Sequence, residues 1–484
     1  MAVKLPAGTA PASQGLEAMH PFKSPYRPER AILELGDAFY DPVAAADFPK
    51  AILRFRNRRW EEAVGLEGLD EQAWIRHFAR FEPLPGSLEQ PLALRYHGHQ
   101  FRVYNPDIGD GRGFLFAQLR DGGDRLLDLG TKGSGQTPYS RFGDGRLTLK
   151  GGVREVLATE MLEALGVETS KSFSLIETGE ALERNDEPSP TRSAVLVRLQ
   201  HSHIRIGTFQ RLAYFKDAEN LTKVTDYCLR HYYGEEQSGE DAPARLLAHV
   251  ALEAARLAAS YIAAGFVHGV LNSDNIAITA QSFDYGPWRF TPHWDGHFTA
   301  AYFDHAGLYS FGRQPEAIHW DVLQLAASLR TIADAEALTP ALDGFPAEFQ
   351  RRLVEAIFAR LGIKPAEPQR DPALLAALET ALAARTVEID RFFFDWRGGR
   401  LRSPGPASEA YAAEPFAAFR EAIGGYETVE DATVHPYWSD EAPCSMHIDE
   451  VEGVWSRIDE ADDWAPFHEK IKAVRRMGEA MRTA

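Results

Sequence analysis

The sequence predicts an α+β protein of two lobes, preceded by a helical extension and followed by a divergent tail. Three observations predict this: short apolar runs between glycine turns in the first half, a mainly helical second half, and a polar loop directly after the longest helix. A length of 484 residues allows two to four structural units. We expect an extension over 1–90, a sheet-containing lobe over 91–209, a helical lobe over 210–397 and a tail over 398–484.

The composition narrows the class of protein. Hydrophobic residues make up 44% and charged residues 25%, which is typical of a globular protein rather than a disordered one. The net charge of −18 argues against nucleic acid as a partner. Cys228 and Cys444 are too few for a disulfide framework, which favours a reducing compartment. We find no signal peptide and no apolar run of membrane-spanning length, so we expect a cytoplasmic protein without a membrane partner.

The elements of the first half follow from local patterns. Residues 1–30 are rich in Pro, Ala and Gly and predict an extended lead-in, whereas 31–94 has a mostly helical pattern, as in AILRFRNRRWEEAVGL. GFLFAQL and RLLDLGTKG predict strands of an antiparallel sheet. GGVREVLATEMLEALGV predicts an amphipathic helix, and SFSLIET and SAVLVRLQ predict two further strands.

The second half predicts helices from about 210 to 264, followed at once by the loop HGVLNSDNIAI. RFTPHW and FTAAYFDH are strand-like, helices continue to about Arg397, and the tail is mixed and acidic. A sheet with one helix, then a helical mass, then a loop with polar residues is the order of a protein-kinase-like fold.

The loop carries the spacing of a kinase catalytic loop. A kinase places its asparagine seven residues after the loop histidine, and His268 and Asn275 are also seven apart. Asn275 and Asp284, of the following DYG, supply oxygen atoms that suit Mg²⁺. Asp274 would accept a proton from a substrate hydroxyl or lie near the metal. Val270, however, stands where a kinase keeps its catalytic aspartate. The alternative to a catalytic loop is a purely structural one, an asparagine-rich turn after a buried helix.

Four basic residues and one acidic residue are candidates for holding phosphates. Lys132 ends a predicted strand, and Glu155 lies 23 residues later in the amphipathic helix, as in the lysine–glutamate pair of kinases. Arg198 and Arg205, seven residues apart, offer bidentate bonds to phosphate. Arg112 follows glycines that permit close backbone approach. The alternative to phosphate binding is that these are ordinary solvated side chains on the surface. For GDGR the alternative is a turn that joins two strands.

Several longer motifs occur in a fixed order over about residues 90 to 325: YHGHQF, GDGRGFL, KGSGQTPYSRFGDGRLTLKGGVRE, SHIRIGTF, HGVLNSDNIAI and DYGPW. Together they resemble the selenoprotein O family, kinase-like proteins that act as protein adenylyltransferases. The resemblance implies that ATP binds turned around, so that the α-phosphate is presented for attack. AMP would pass to a Ser, Thr or Tyr hydroxyl of a protein, with the enzyme itself among the candidate acceptors. This orientation would explain Val270.

The resemblance also implies roles for individual residues. Asp274 is similar to the catalytic base of the family, and Asn275 and Asp284 are similar to its ligands for Mg²⁺ or Mn²⁺. The implied nucleotide contacts are Gly109, Gly111, Arg112, Lys132, Asp144, Gly145, Glu155, Arg198, Arg205 and Asp284. Many members of the family carry a cysteine or selenocysteine at the C-terminus, whereas this sequence ends in GEAMRTA, so we do not expect redox control by a tail disulfide.

Two other functions compete with adenylyl transfer. The first is a conventional kinase that transfers the γ-phosphate, against which Val270 counts. The second is a nucleotide-binding pseudokinase that only scaffolds partners. A scaffold has no chemical need for Lys132, Asp274, Asn275 and Asp284 together, so the intact set favours an enzyme.

Overall fold

A computed structural model describes residues 23–185, 187–235, 238–366, 369–402 and 405–482. The strands are β1 (Pro28–Glu29), β2 (Tyr40–Pro42), β3 (Ile52–Arg56), β4 (Leu92–Leu94), β5 (Gly98–Gln100), β6 (Val103–Asn105), β7 (Leu115–Arg120), β8 (Leu126–Lys132), β9 (Leu147–Thr148), β10 (Lys171–Leu182), β11 (Thr191–Gln200), β12 (Phe266–Val267) and β13 (Arg289–Phe290). Residues 1–22 lie outside the described residues. They include most of the lead-in predicted for 1–30, and the expectation that there is no signal peptide also concerns them.

The α-helices are α1 (Arg58–Ala63), α2 (Glu71–Phe78), α3 (Leu149–Ala164), α4 (Ile206–Tyr214), α5 (Ala218–Tyr233), α6 (Ala242–Ala264), α7 (Gln314–Leu329), α8 (Ala335–Leu361), α9 (Arg370–Ala383), α10 (Ile389–Asp395), α11 (Ser408–Ala412), α12 (Ala417–Ile423), α13 (Ile448–Ala461) and α14 (Ala465–Arg482). The predicted α+β class, with an antiparallel sheet and many helices, is confirmed.

The main sheet is antiparallel throughout, in the order β2-β4-β7-β8-β11-β10-β3, with β1 paired to β7 and β9 to β11. Every residue of β8 is buried, since other elements cover both of its faces. The pairing of β8 with β11 sets Leu196 opposite Lys132 and Arg198 opposite Gly130. The pairing therefore brings a lysine at the end of β8 close to an arginine of the neighbouring strand β11, in the middle of the sheet.

The helical prediction for residues 31–94 is wrong in part. Residues 52–56 form β3, an edge strand that pairs with β10, and the helix begins only at Arg58. ILRFR runs without a break into a helical pattern, so no local signal marks the boundary, and the pairing partner lies more than a hundred residues away. Tertiary pairing therefore overrides local propensity here.

Helix α3 packs against β10 and β11 and carries Glu155 toward the sheet. Its N-cap is Thr148, whose side-chain oxygen accepts a hydrogen bond from the Gly151 amide at 3.1 Å. Val153, Val156 and Leu157 are fully buried, as their spacing predicted. The helix is therefore fixed in place by its core-facing side and by its cap.

The predicted helical segment from about 210 to 264 is confirmed as α4, α5 and α6. Among the described residues, α6 is the one helix long and apolar enough to cross a membrane, and 67% of its most apolar window is buried inside the protein. It packs against α5, α7 and α8 and ends at Gly265 in the left-handed conformation, with φ +67°. These are the features of a core helix.

The strand predictions after the polar loop are mostly wrong. Of RFTPHW, only Arg289–Phe290 forms a strand, which pairs with β12, and residues 298–305 of FTAAYFDH form turns and irregular backbone. Aromatic and β-branched residues give a strand-like pattern here. In the structure, Phe298 and Ala300 instead belong to the hydrophobic core around α6 and α8, and Phe303 contacts Phe101.

The end of the tail packs back onto the first half of the chain. Helix α14 lies along α3, and Gly478 sits so close to Ala164 that an added Cβ would be 3.1 Å from the Ala164 Cα. Arg475 of α14 holds Glu160 of α3 with two hydrogen bonds, of 2.8 and 2.7 Å. The tail thus supports the helix that carries Glu155.

Candidate active site

A cavity of about 780 Å³ opens between the central strands of the sheet and the polar loop, a size typical of ligand sites. It collects most of the residues that the sequence singled out: Gly109, Gly111, Arg112, Lys132, Asp144, Gly145, Arg198, Arg205, Asp274 and Asp284. Glu155 and Asn275 are not among the lining residues, although Glu155 contacts Lys132, which is. The positions come from five separate stretches of the chain, so the fold has assembled them at one place.

Lys132 is the centre of an ion-pair cluster in the cavity wall. It is the last residue of β8, and its ammonium contacts the Glu155 carboxylate of α3. The same Nζ lies 2.7 Å from Asp284 Oδ1. The side chains of Lys132 and Glu155 are 5% and 1% exposed, so the pair is shielded from water, where charge interactions are strong.

Asp284 is held as a carboxylate in a strained backbone position. Burial alone would raise its pKa, but Lys132 and Arg198 outweigh burial and hold the pKa of Asp284 well below its usual range. Arg198 donates to Asp284 Oδ1 at 3.3 Å. The φ of Asp284 is +63°, a conformation that non-glycine residues adopt at a cost and that concentrates at functional sites.

Arg205 ties the loop to the glycine-rich segment. It is the residue before α4, and its guanidinium donates to the Asp274 carbonyl at 3.0 Å and to Asp110 Oδ1 at 3.3 Å. Asp110 in turn accepts a hydrogen bond from the Leu94 amide at 3.0 Å. Sequence reasoning missed Asp110, although it lies within the GDGR motif that supplied Gly109, Gly111 and Arg112.

Asp274 lies in the cavity wall with one oxygen unsatisfied. Burial raises its pKa to about 6, although the nearby Arg205 opposes the shift. Its Oδ1 has no hydrogen-bond partner among the described residues. Gly98 lies directly against it: an added Cβ there would be 2.8 Å from both Cβ and Oδ1 of Asp274. Gly98 therefore leaves the room that this carboxylate occupies.

The rest of the loop is anchored by hydrogen bonds. His268, 1% exposed, lies with its Nε2 2.9 Å from the carbonyl oxygen of Phe283, which links the loop to the residue before Asp284. Asn275 donates through its side-chain amide to the Val270 carbonyl at 3.0 Å. This bond uses the NH₂ group and leaves Oδ1, the atom a metal ion would bind.

The predicted glycine contacts have a packing reason as well. An added Cβ at Gly109 would be 2.5 Å from the Tyr139 ring, and one at Gly111 would be 2.9 Å from the Tyr139 carbonyl. Gly145 has φ +70° and lies against the backbone of Gly135. These glycines let the segment from 133 to 146 fold over the cavity. Tyr139 of this segment packs against Gly109 and Gly111 and lines the cavity, and sequence reasoning missed it.

The charge balance of the lining favours an anionic ligand. Asp144 lies at the rim, 2.9 Å from Arg184, another residue that the sequence did not single out. The lining holds seven arginine or lysine residues and five aspartate or glutamate residues: Arg112, Lys132, Arg141, Arg146, Arg184, Arg198 and Arg205 against Asp110, Asp144, Glu183, Asp274 and Asp284. In a chain of net charge −18, this local excess of positive charge is unusual.

Comparison with known proteins identifies the family. The family model described as "Protein adenylyltransferase SelO" matches residues 23–475. The chain belongs to this family. It is 44% identical over 466 residues to "Protein nucleotidyltransferase YdiU" of Gloeobacter violaceus, an alignment that covers 93% of this chain and 95% of that protein. The protein of the same name from Synechocystis is 41% identical, with 92% and 97% covered.

A third relative of that name, from Synechococcus elongatus, is 48% identical over 355 residues, which cover 72% of this chain and 70% of that protein. The resemblance read from the motifs is thus confirmed over nearly the whole chain, well beyond residues 90 to 325. Membership makes the chain a nucleotidyltransferase that acts on proteins.

Proposed function

We propose that this protein transfers AMP from ATP to a Ser, Thr or Tyr hydroxyl of an acceptor protein and releases pyrophosphate. One observation carries the proposal: Lys132, Arg198, Arg205, Asp274 and Asp284 meet in one cavity, while Val270 replaces the aspartate that γ-phosphate transfer would need. We further propose that the sheet with α3 and the helices after it form the two lobes of a protein-kinase-like fold, with the cavity between them.

The reaction is a displacement at the α-phosphorus. The acceptor hydroxyl oxygen forms a bond to that phosphorus, the bond to the bridging oxygen of the β-phosphate breaks, and its electron pair leaves with pyrophosphate. The hydroxyl proton passes to the carboxylate of Asp274, which lines the cavity. Such transfers depend on positioning and on neutralising phosphate charge rather than on covalent chemistry by the protein.

Three cations hold the leaving group in this mechanism. Lys132 is oriented by Glu155, and Arg198 and Arg205 are buried side chains that project from β11 and from the start of α4. Both arginines line the cavity, so their guanidinium groups can donate hydrogen bonds to phosphate oxygens there. Losing one such contact to the developing charge costs on the order of 3 kcal/mol, or roughly 10²–10³ in rate.

Mg²⁺ or Mn²⁺ fits the donor set of Asn275 and Asp284. Asn275 Oδ1, which accepts no hydrogen bond from the described residues, and the ionised carboxylate of Asp284 provide hard oxygen atoms, and two protein ligands suffice where nucleotide phosphates complete the coordination. When bound, the ion supplies positive charge against the phosphate oxygens. Lys132 and Arg198 keep the Asp284 carboxylate ionised and oriented through their direct contacts with it.

The proposal is tested with ATP labelled at either the α- or the γ-phosphorus. Purified protein is incubated with divalent metal and casein as a general acceptor, beside an Asp284→Ala variant. We expect protein-bound label from α alone, and none from Asp284→Ala. Because the relatives are named only as nucleotidyltransferases, unlabelled UTP, GTP and CTP are added as competitors to establish the base. Label from γ alone would make the protein a kinase.

A further inference from the structure

A β-hairpin beside the candidate active site has a turn that its sequence does not favour. Strands β5 and β6 pair Gln100 with Val103, and the two turn residues, Phe101 and Arg102, have φ of +49° and +63°. Turns of this type favour Asn and Gly, and a bulky residue in the left-handed region costs about 1 to 3 kcal/mol. Strain of this kind persists only when surrounding contacts impose it.

The contacts that impose it connect the hairpin to the catalytic loop. The Phe101 amide donates to Asn272 Oδ1 at 3.0 Å, and the His99 amide donates to Ser273 Oγ at 2.8 Å. At the base of the hairpin, Gly98 lies against Asp274. These contacts therefore fix the position of the hairpin relative to Asp274, the carboxylate that we propose accepts the proton of the acceptor hydroxyl.

Exposed apolar side chains lie on both flanks of the hairpin and at its tip. On one flank Phe101 contacts Phe303, whose ring centroid is 5.8 Å away, and Phe303 contacts Tyr302 at 5.1 Å. On the other flank Tyr104 stacks on Tyr214 at 5.6 Å, and Tyr214 contacts Phe215 at 5.1 Å. We call the exposed apolar side chains at the tip and on the two flanks the hairpin ridge: Val103, Tyr214, Phe215, Tyr302 and Phe303.

The exposure of the ridge is large for apolar side chains. Val103 is 69% exposed and Tyr302 is 81% exposed, and the other three are between 42% and 58%. A contiguous apolar patch on a protein surface marks an interaction site, and tyrosine is enriched among residues that dominate binding energy. Gln100, which pairs with Val103 across the hairpin, lines the cavity, so the hairpin leads from the cavity wall to the ridge and lies beside a protein that reaches Asp274 through the cavity.

We propose that the hairpin ridge docks the acceptor protein and selects a large apolar side chain close to the modified hydroxyl. This inference rests on the proposed function, because that function supplies the acceptor. From Gly98 to the tip the hairpin spans three residues of strand, about 10 Å at roughly 3.3 Å per residue. An extended acceptor segment would reach Val103 within about three residues of its hydroxyl.

The test is a positional-scanning library of peptides with one Ser, Thr or Tyr, incubated with metal and ATP labelled at the α-phosphorus. Three forms are compared: wild type, Val103→Asp, and Val434→Asp as a matched control. Val434 is 72% exposed in the C-terminal region and does not line the nucleotide cavity. The ATP-induced rise in Tm is measured for each form, to show that folding and nucleotide binding persist.

We expect wild type and Val434→Asp to prefer a large apolar residue at one position within three residues of the hydroxyl. In Val103→Asp we expect kcat/KM for those peptides to fall at least about tenfold, with KM for ATP unchanged, since a charge opposes burial of the apolar side chain. A profile without apolar preference, or an equal loss in both variants, would overturn the proposal.

Two further outcomes distinguish acceptor docking from kinase activity and from self-association. The same apolar preference with γ-label in place of α-label would refute adenylyl transfer but retain the ridge as a docking surface. If sedimentation shows that wild type self-associates and Val103→Asp dissociates while the peptide profile is unchanged, the ridge is a contact between copies of this chain and the proposal is wrong.

Discussion

Two neighbouring arginines on α14 provide a matched test of how the tail supports α3. Arg475 makes a bidentate ion pair with Glu160, whose side chain is 2% exposed, whereas Arg476 pairs with Asp440, with side chains 42% and 38% exposed. Breaking a buried pair costs about 3 to 5 kcal/mol, and an exposed pair contributes about 0 to 1 kcal/mol. The same substitution at adjacent positions should therefore have very different effects.

The loss of stability expected for Arg475→Ala depends on the ion pairs that Glu160 keeps. Arg59 still donates to Glu160 at 3.1 Å, so the carboxylate is not left unpaired. We therefore expect a loss of about 2 kcal/mol in the free energy of unfolding, roughly half the full penalty, and under about 1 kcal/mol for Arg476→Ala. Arg475→Lys should fall between wild type and Arg475→Ala, because lysine keeps the charge but not the bidentate geometry.

The assay is urea unfolding followed by tryptophan fluorescence, together with hydrogen exchange of the α3 amides. Faster exchange along α3 in Arg475→Ala, but not in Arg476→Ala, would show that the tail restrains the helix that carries Glu155. Equal destabilisation by the two substitutions, or unchanged exchange in α3, would refute the reasoning.

Three further predictions concern the cavity. Lys132→Met should lower the rate of label transfer about 10²–10³-fold, whereas Lys150→Met, whose ammonium pairs at 2.7 Å with Glu452 of α13 outside the cavity, should not. Gly98→Ala should displace the Asp274 carboxylate and lower kcat at least about tenfold, while ATP should still raise the Tm. The control is Gly344→Ala, where an added Cβ meets nothing within 4 Å. Equal activity in the two variants would contradict the assignment of Asp274. Chelation by EDTA should abolish transfer, and Mg²⁺ or Mn²⁺ should restore it; full activity in EDTA would exclude a metal requirement.

The site was predictable where its residues lie close together in the sequence. The interval between His268 and Asn275, and the placement of Lys132 at a strand end before the helix of Glu155, follow from local patterns that a nucleotide site requires. The structure brings Lys132 and Glu155 into contact and puts Lys132 beside Asp284. Their roles in catalysis remain predictions for the experiments above.

Long-range partners were not predictable in the same way. Asp110 meets Arg205 across 95 residues of sequence, and Glu160 meets Arg475 across 315 residues, and no periodicity links such pairs. The helical prediction for the stretch that forms β3 failed because of the same limit. An edge strand is defined by the partner it pairs with, and that partner lies far along the chain.

The central claim, that AMP is the group transferred, is tested most directly by the products of one reaction. The acceptor protein is analysed by intact-mass spectrometry after incubation with ATP and Mg²⁺, while pyrophosphate and ADP in the supernatant are quantified. We predict that the acceptor gains the mass of AMP and that one pyrophosphate appears for each AMP attached. An acceptor that gains only the mass of a phosphate, with ADP formed in equal amount, would contradict the claim.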